Sequence, residues 1–222
     1  MTIRKGEPWG AVGPAPDDVQ LARSDAELHA IVNRCRSAES PLPAVGLLGG
    51  DLCRAVGGTG DAARFEPRSG AGTGGQVAIL PVDLLRVELC GSAGESFTRR
   101  AACHVLVRRT AWRGPIVAVM GTQYLGRWDV APRAHPNDGR ADVVEVDAQM
   151  PWRERWQAWR RLPRGAHVPH PLVRTRQVRD FEIDVPLGTH VWLDGQRLRE
   201  EGLARVARVR VVVEPDALRV CV

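Results

Sequence analysis

The sequence predicts an α+β chain that is mostly β: a β-sandwich preceded by a short, incomplete α/β region. Three observations lead there. Beyond residue 76, short apolar runs rich in Val, Leu and Ile recur with turn residues between them, the pattern of an all-β sandwich or barrel. Before residue 66 there is room for only one well-marked helix and one strand-turn-helix unit. Between them, "EPRSGAGTGGQ" at 66–76 reads as a flexible linker or long loop. The expected domains are therefore 1–75, a truncated α/β region with its linker, and 76–222, the sandwich.

Residues 1–22, rich in Gly and Pro, read as an irregular arm. In "SDAELHAIVNRCRSA" Ser24 is followed three residues on by Glu27, a capping box, and Leu28, Ile31, Val32 and Cys35 recur at helical spacing. "PLPAVGLLGGDLCRAVGG" predicts a strand at 44–48, a turn at Gly49-Gly50 and a short helix from Asp51 to Val56. Strands are expected over Leu84–Leu89, Cys103–Val107, Ile116–Met120, Val143–Val146, Val178–Val185, Val191–Leu193, Val206–Val213 and Leu218–Val222. One helix interrupts them: in "PWRERWQAWRRL" Pro151 suits a helix start, and Trp152, Trp156 and Trp159 fall at i, i+4 and i+7. No internal repeat is present.

Composition narrows the function classes. The 222 residues suffice for a sizeable core. No run is apolar enough to span a membrane and the first residues lack a secretory signal, so a cytoplasmic protein is expected. The five cysteines, Cys35, Cys53, Cys90, Cys103 and Cys221, are odd in number with no CxxC spacing, and read as buried reduced thiols. Lys5 is the only lysine, so the net charge of +5 is carried by arginine. Arginine suits phosphate, but its even spread reads as a compositional bias, and no specific nucleic-acid surface is expected because basic-aromatic RNA motifs are absent.

Several constellations carry candidate chemistry. Gly49-Gly50 ahead of a helix start has the geometry that cradles phosphate, yet it equally makes a plain strand-to-helix turn, and no G-x-G-x-x-G or Walker lysine accompanies it. The tryptophan stripe, with Arg153, Arg155, Arg160 and Arg161 around it, fits either packing on a sheet, the preferred reading, or an anionic membrane surface. His167 and His170 flank Pro169 in an extended segment that turns them apart, which disfavours a shared metal. The turn Asn137-Asp138-Gly139 offers carbonyls and a carboxylate, with Asp142 beside it, to a hard cation such as Mg²⁺. Asp194-Gly195 in "VWLDGQRL" is a tight-turn dipeptide.

"VMGTQYLGRWDVAPRAHPNDGRADVVEV", "RGAHVPHPLV", "VWLDGQRL" and "VEPDALRVCV" resemble, in order and spacing, the C-terminal half of bacterial diacylglycerol kinase-like lipid kinases. The resemblance runs from about Ala111 to the end and more weakly from Val82, and "GGDLCRAVGG" looks like the family's "NDLA" segment. It implies a lipid-kinase-like β-sandwich that contacts lipid and carries the catalytic base, facing an ATP-binding domain with a "GGDGT" loop. It also implies a structural Mg²⁺ at the NDG turn, held by the Asp138 side chain and the backbone carbonyls of His135 and Arg140.

Two departures bear on function. No "GGDGT" is present, and Gly46-Leu47-Leu48 stands where the family has a nucleotide-contacting threonine, so ATP binding as the family builds it is not expected. Gln196 occupies the place of the glutamate base, and an amide takes up no proton near neutral pH. Losing a positioned base typically costs about 10² to 10⁴ in rate. Glu200 lies roughly 13 Å further along an extended strand. The expectation is a non-catalytic homologue that binds a lipid, an amphipathic molecule or a protein partner, another copy of the chain included. The alternative is an active lipid kinase with a rearranged site around Asp194.

Overall fold

The structure is a computed structural model that describes residues 3, 8–37, 42–66, 75–109, 113–199 and 205–222. The chain opens with β1 (Ala11–Pro14), β2 (Gln20–Ala22), α1 (Asp25–Ser37), β3 (Val45–Leu47) and the short α2 (Gly50–Ala55). Next come β4 (Gln76–Gly91), β5 (Ser96–Ala101), β6 (His104–Arg108), β7 (Ile116–Met120), β8 (Tyr124–Leu125), β9 (Trp128–Asp129) and β10 (Ala141–Val146). After α3 (Trp152–Arg161), the strands β11 (Val173–Val178), β12 (Asp180–Asp184), β13 (His190–Leu193), β14 (Gln196–Arg197) and β15 (Val206–Cys221) complete the chain.

The strands form two principal sheets. In the first, β4 and β15 run antiparallel side by side over nearly their whole length, with β-bulges in the pairing near Ala207 and between Glu214 and Leu218. Their sandwich ends are flanked by β5 and β12, and their other ends by β1 and by the parallel pair β3 and β2. The second sheet is antiparallel, in the order β11-β10-β7-β6-β13-β14. Between them lies the main core, in which alternate residues of each strand point inward: Leu85, Val87 and Leu89 of β4, and Val209, Val211 and Val213 of β15, face Val105, Val107, Val119, Val143 and Val191. This alternation is what a half-buried strand requires.

A second core lies at the other end of the first sheet. There Leu28, Ile31 and Val32 of α1 and Leu52 of α2 pack with Val45, Leu47, Leu80, Val82, Leu218 and Val220. β4 begins at Gln76, and its first half lies between β1 and β15 in the same sheet as β3 and β2. α1 starts as its sequence requires: Ser24 Oγ accepts from the Glu27 amide at 3.2 Å, and the Glu27 carboxylate reaches back to the Arg23 amide at 2.8 Å. Asn33 then docks the helix against β5, its amide donating to the Arg100 carbonyl and its oxygen accepting from the Arg100 N–H, at 2.9 and 3.0 Å.

The structure corrects several local expectations. The arm at 1–22 contains β1 and β2, whose partners lie far along the chain and leave no local signature. The strand expected over Val178–Val185 breaks at Arg179, where the chain leaves the second sheet as β11 and joins the first as β12. The strands expected at Val206–Val213 and Leu218–Val222 are one bulged strand. β5 and the β8–β9 hairpin are further strands: β5 is mostly polar, and β8 and β9, two residues each, are too short for an alternation to show. Cys90 is exposed and Cys35 half-buried, while Cys53, Cys103 and Cys221 are buried thiols whose pKa burial pushes up. No described helix is long and apolar enough to cross a membrane.

Asn33→Ala removes two partly buried backbone bonds and leaves the Arg100 groups to find water. It should cost about 1–3 kcal/mol in denaturant unfolding; an unchanged midpoint would show that α1 is held by its apolar face alone.

Candidate functional site

The Asp-Gly turn of the β13–β14 hairpin has Asp194 at φ 47° and Gly195 at φ 80°, the pair of left-handed conformations that such two-residue turns need. This geometry places the Asp194 side chain inside the protein, only 3% of the residue being exposed. Its carboxylate accepts three consecutive backbone N–H groups, from Ala102 at 2.9 Å, Cys103 at 2.8 Å and His104 at 3.1 Å, where the chain crosses from β5 in the first sheet to β6 in the second. His29 Nδ1, from α1, lies 3.0 Å from the same carboxylate. Burial pushes the Asp194 pKa up, but the His29 hydrogen bond, the nearby His104 and the backbone donors outweigh it and hold the group below the usual carboxylate range. Asp194 therefore joins a hairpin, a sheet corner and a helix. Gln196, two residues on, is exposed on β14. The structure brings the two residues onto one hairpin with opposite surroundings, and Glu200 lies outside the described residues.

A second carboxylate relay lies beside it. Asp25, in the first turn of α1, accepts from the Asp51 N–H at 2.7 Å and the Leu52 N–H at 3.3 Å, so it caps α2. The Cys103 thiol lies 3.1 Å from the same carboxylate. Asp51 in turn accepts from the Gly126 N–H at 2.8 Å, while Arg54 donates to the Gly126 carbonyl and stacks 3.7 Å over the Tyr124 ring. These contacts fix the β8–β9 hairpin to α2. They also fill the Gly49-Gly50 turn: the amides that would cradle a phosphate are taken by Asp25, and the start of α1 carries Glu27 and Asp25 of its own. A helix N-terminus attracts an anion, and here both are already occupied by carboxylates.

The NDG turn is held by another buried carboxylate. Asp83 of β4 accepts from the Gly139 and Asp216 amides at 2.7 and 2.9 Å, and Asn137 donates to Asp216 at 2.9 Å. Asp138 accepts from the Arg140 amide at 2.9 Å, His135 accepts from the Asn137 amide at 3.2 Å and packs against Trp9, and the Arg140 side chain is exposed. Among the described residues no three His, Cys, Asp or Glu side chains converge as metal ligands. An ion at this turn would thus rest on carbonyls with Asp138 as its one carboxylate, a donor set compatible with Mg²⁺. The turn's shape is already satisfied by Asp83, Asn137 and Asp216.

On the outer face of the second sheet lies a cavity of about 320 Å³. Leu106, Ala118 and Val144 form part of its floor and Trp156, Trp159 and Leu162 its helical wall. The expected packing of the tryptophan stripe is only half realised, since Trp156 and Trp159 border the cavity while remaining 51% and 41% exposed. Arg155 points inward and donates to the carbonyls of Met150, Gly114 and Asp147. His167 lines the cavity at 5% exposure, its ring set against the Val130 backbone without a full hydrogen bond. Burial holds its pKa below the usual range, offset in part by the Val130 backbone, which favours the uncharged imidazole. His170 faces elsewhere, toward Glu154.

The profile of the YegS C-terminal NAD kinase beta sandwich-like domain matches residues 94–222, more than half of the sequence. The chain belongs to this family. Solved structures share the fold: a diacylglycerol kinase from Bacillus anthracis str. Sterne aligns with TM-score 0.52 at 14% identity, covering 91% of this chain and 75% of that one. A provisionally named diacylglycerol kinase from the same organism aligns with TM-score 0.54 at 14% identity over 91% of this chain and 77% of that one. Yeast NADH kinase complexed with NADH gives TM-score 0.51 at 9% identity over 92% of this chain and 60% of that chain. No curated protein matches by sequence. The profile begins at residue 94, between Val82, where the resemblance is weak, and Ala111, where it becomes clear.

Sequence reasoning missed Asp25, His29, Asn33 and Asp83, and weighed His167 only as a metal ligand and not as a cavity residue. For α1 a signal existed: His29 and Asn33 are polar residues at i and i+4, the spacing that puts both on one face.

Asp194→Ala strands three buried N–H groups and His29, and should cost about 3–5 kcal/mol in chemical denaturation; a neutral effect would remove its anchoring role. For Asp51, burial, with Asp25 adding to it, raises the folded pKa above the unfolded value despite the Gly126 bond. Native protein therefore binds the proton more tightly than unfolded protein, and this stabilisation fades as pH rises through the folded pKa. Unfolding midpoints of Asp51→Asn relative to the parent should shift in the variant's favour between pH 4 and 7, and a gap independent of pH would contradict this.

Proposed function

We propose that this member of the family is a non-catalytic, lipid-kinase-like protein that binds the apolar chain of an amphipathic molecule in the cavity between α3 and the second sheet. The cavity carries the reading. At about 320 Å³ it sits at the small end of ligand pockets, a size suited to one acyl chain rather than two. Its wall is apolar except for Arg155, whose guanidinium is held by backbone carbonyls, and His167, whose imidazole offers one donor and one acceptor to a hydroxyl or ester group. A buried polar group without a partner is costly, and a ligand head group would relieve that cost.

The nucleotide side supports the same reading. Phosphoryl transfer depends on positioning and on positive charge around the phosphates. At the two places where a helix N-terminus faces a strand-to-helix turn, this chain supplies Asp25 and Glu27 instead. The exposed amide of Gln196 where the resemblance expects a base, and the commitment of Asp194 to backbone donors, support the non-catalytic reading. Mg²⁺ at the NDG turn would have a structural role.

Displacement of a fluorescent polyene fatty acid should show binding of single-chain lipids to the full chain. Ala118→Phe, which fills the cavity floor, should weaken binding about tenfold or more while His167→Phe loses selectivity for hydroxylated over purely hydrocarbon ligands; equal binding by parent and Ala118→Phe overturns the reading. Incubation with radiolabelled ATP, Mg²⁺ and diacylglycerol should yield no phosphorylated lipid for the parent or for Gln196→Glu, and turnover by either would make the protein a kinase.

A further inference from the structure

Helix α3 has a face that the fold does not cover. Trp152 is 72% and Trp156 51% exposed, and with Trp159 they form one stripe at i, i+4 and i+7 along a helix about 15 Å long. Large exposed aromatic groups in such a row mark an interaction surface. Around them stand Arg153, Arg160, Arg161 and, just beyond the helix, Arg164, all exposed. Arg153 lies 5.5 Å from the Trp152 ring centre and Arg160 4.8 Å from that of Trp156, while Arg127 of the β8–β9 hairpin reaches within 5.5 Å of Trp159. The one acidic residue of the helix, Glu154, is turned toward His170. Arginine heads gathered beside tryptophan rings, with Glu154, its side chain 42% exposed, as the one carboxylate of the helix, match the interface of a bilayer, where indole sits at headgroup level and guanidinium meets phosphate.

The geometry points to α3 as a docking element for an anionic phospholipid surface, with Trp152 and Trp156 entering the interface and Arg153, Arg160, Arg161 and Arg164 meeting lipid phosphates. This deepens the cavity reading, on which the choice of lipid over another polyanion rests. Trp156 and Trp159 are at once cavity wall and protein surface, so the mouth of the cavity lies at the docking face. A chain lifted from the bilayer would enter without crossing water. Trp152 takes no part in lining the cavity, which separates docking from ligand capture. A ten-residue amphipathic helix carrying apolar anchors and basic residues binds such surfaces reversibly, with strength set by buried apolar area and by attraction to anionic headgroups.

The test is co-sedimentation of the full chain with vesicles of phosphatidylcholine alone and of phosphatidylcholine doped with phosphatidylglycerol, across a salt series, with tryptophan emission recorded. Binding should require phosphatidylglycerol, weaken with salt and shift the emission to the blue. The triple variant Trp152→Ser, Arg160→Glu, Arg161→Glu should lose about tenfold or more in affinity. Arg208→Glu with Arg219→Glu, a double charge reversal on the first sheet, should retain it. No partition to anionic vesicles, equal loss in both variants, or self-association that vanishes in the triple variant without vesicles would overturn the proposal, as would binding to a single-stranded oligonucleotide in place of vesicles. The fatty-acid probe, read without vesicles, keeps the two readings apart. Probe binding without vesicle binding overturns docking alone, and vesicle binding without probe binding overturns the cavity reading alone.

Discussion

The hydrogen bonds that converge on the Asp194 carboxylate are the constraint on which the rest of the structure depends. The chain must turn from the first sheet into the second at residues 102–104, and a turn of this kind inside a protein leaves N–H groups facing no strand partner. Asp194 takes three of them and holds His29 as well. Replacing water with these four donors keeps a charge stable in a place where an isolated one would be prohibitive. The same contacts attach α1 to the sandwich, so an acidic residue in a hairpin tip determines where the N-terminal segment sits. The half-buried Asp25 and the buried Asp51 and Asp83 repeat the device, each tying down a backbone N–H of a different segment.

That repetition explains how a short N-terminal region remains ordered without a complete doubly wound sheet. Two helices and three short strands bury little on their own. They gain a core by borrowing the ends of β4 and β15, and gain orientation from Asp194, Asp25 and the Asn33 pairing with β5. The cost falls on the places where these carboxylates settle. Positions that could present bare amides to a phosphate present negative charge instead.

The sequence made the sandwich and its principal strands legible because alternating Val and Leu have a single physical meaning on a two-faced sheet. α1 was legible from Ser24 and Glu27, and the Asp194-Gly195 turn from its need for two left-handed residues. What remained hidden depends on partners distant in the chain. β1 and β2 are strands only because β4 and β3 lie beside them, and nothing in "AVGP" or "QLA" announces this. Whether the tryptophans of α3 are buried could not follow from their spacing, which is the same for a core stripe and an interfacial one; the cavity between helix and sheet decides it. The destination of the Asp194 side chain was equally hidden, because a turn dipeptide specifies a backbone and not what its carboxylate will meet.

β4 and β15 pair from one core to the other, with one bulge on the way between Glu214 and Leu218. Where two lobes are joined by separate linkers, a ligand can be gripped by swinging one lobe toward the other. Here the joint is itself a pair of sixteen-residue strands, hydrogen-bonded along most of their length, and bending it would break ladder bonds in the middle of a sheet. The molecule behaves as a beam with a core at each end. A beam of this kind resists folding one core onto the other, so the distance between its two ends is set by the strands themselves and not by a hinge.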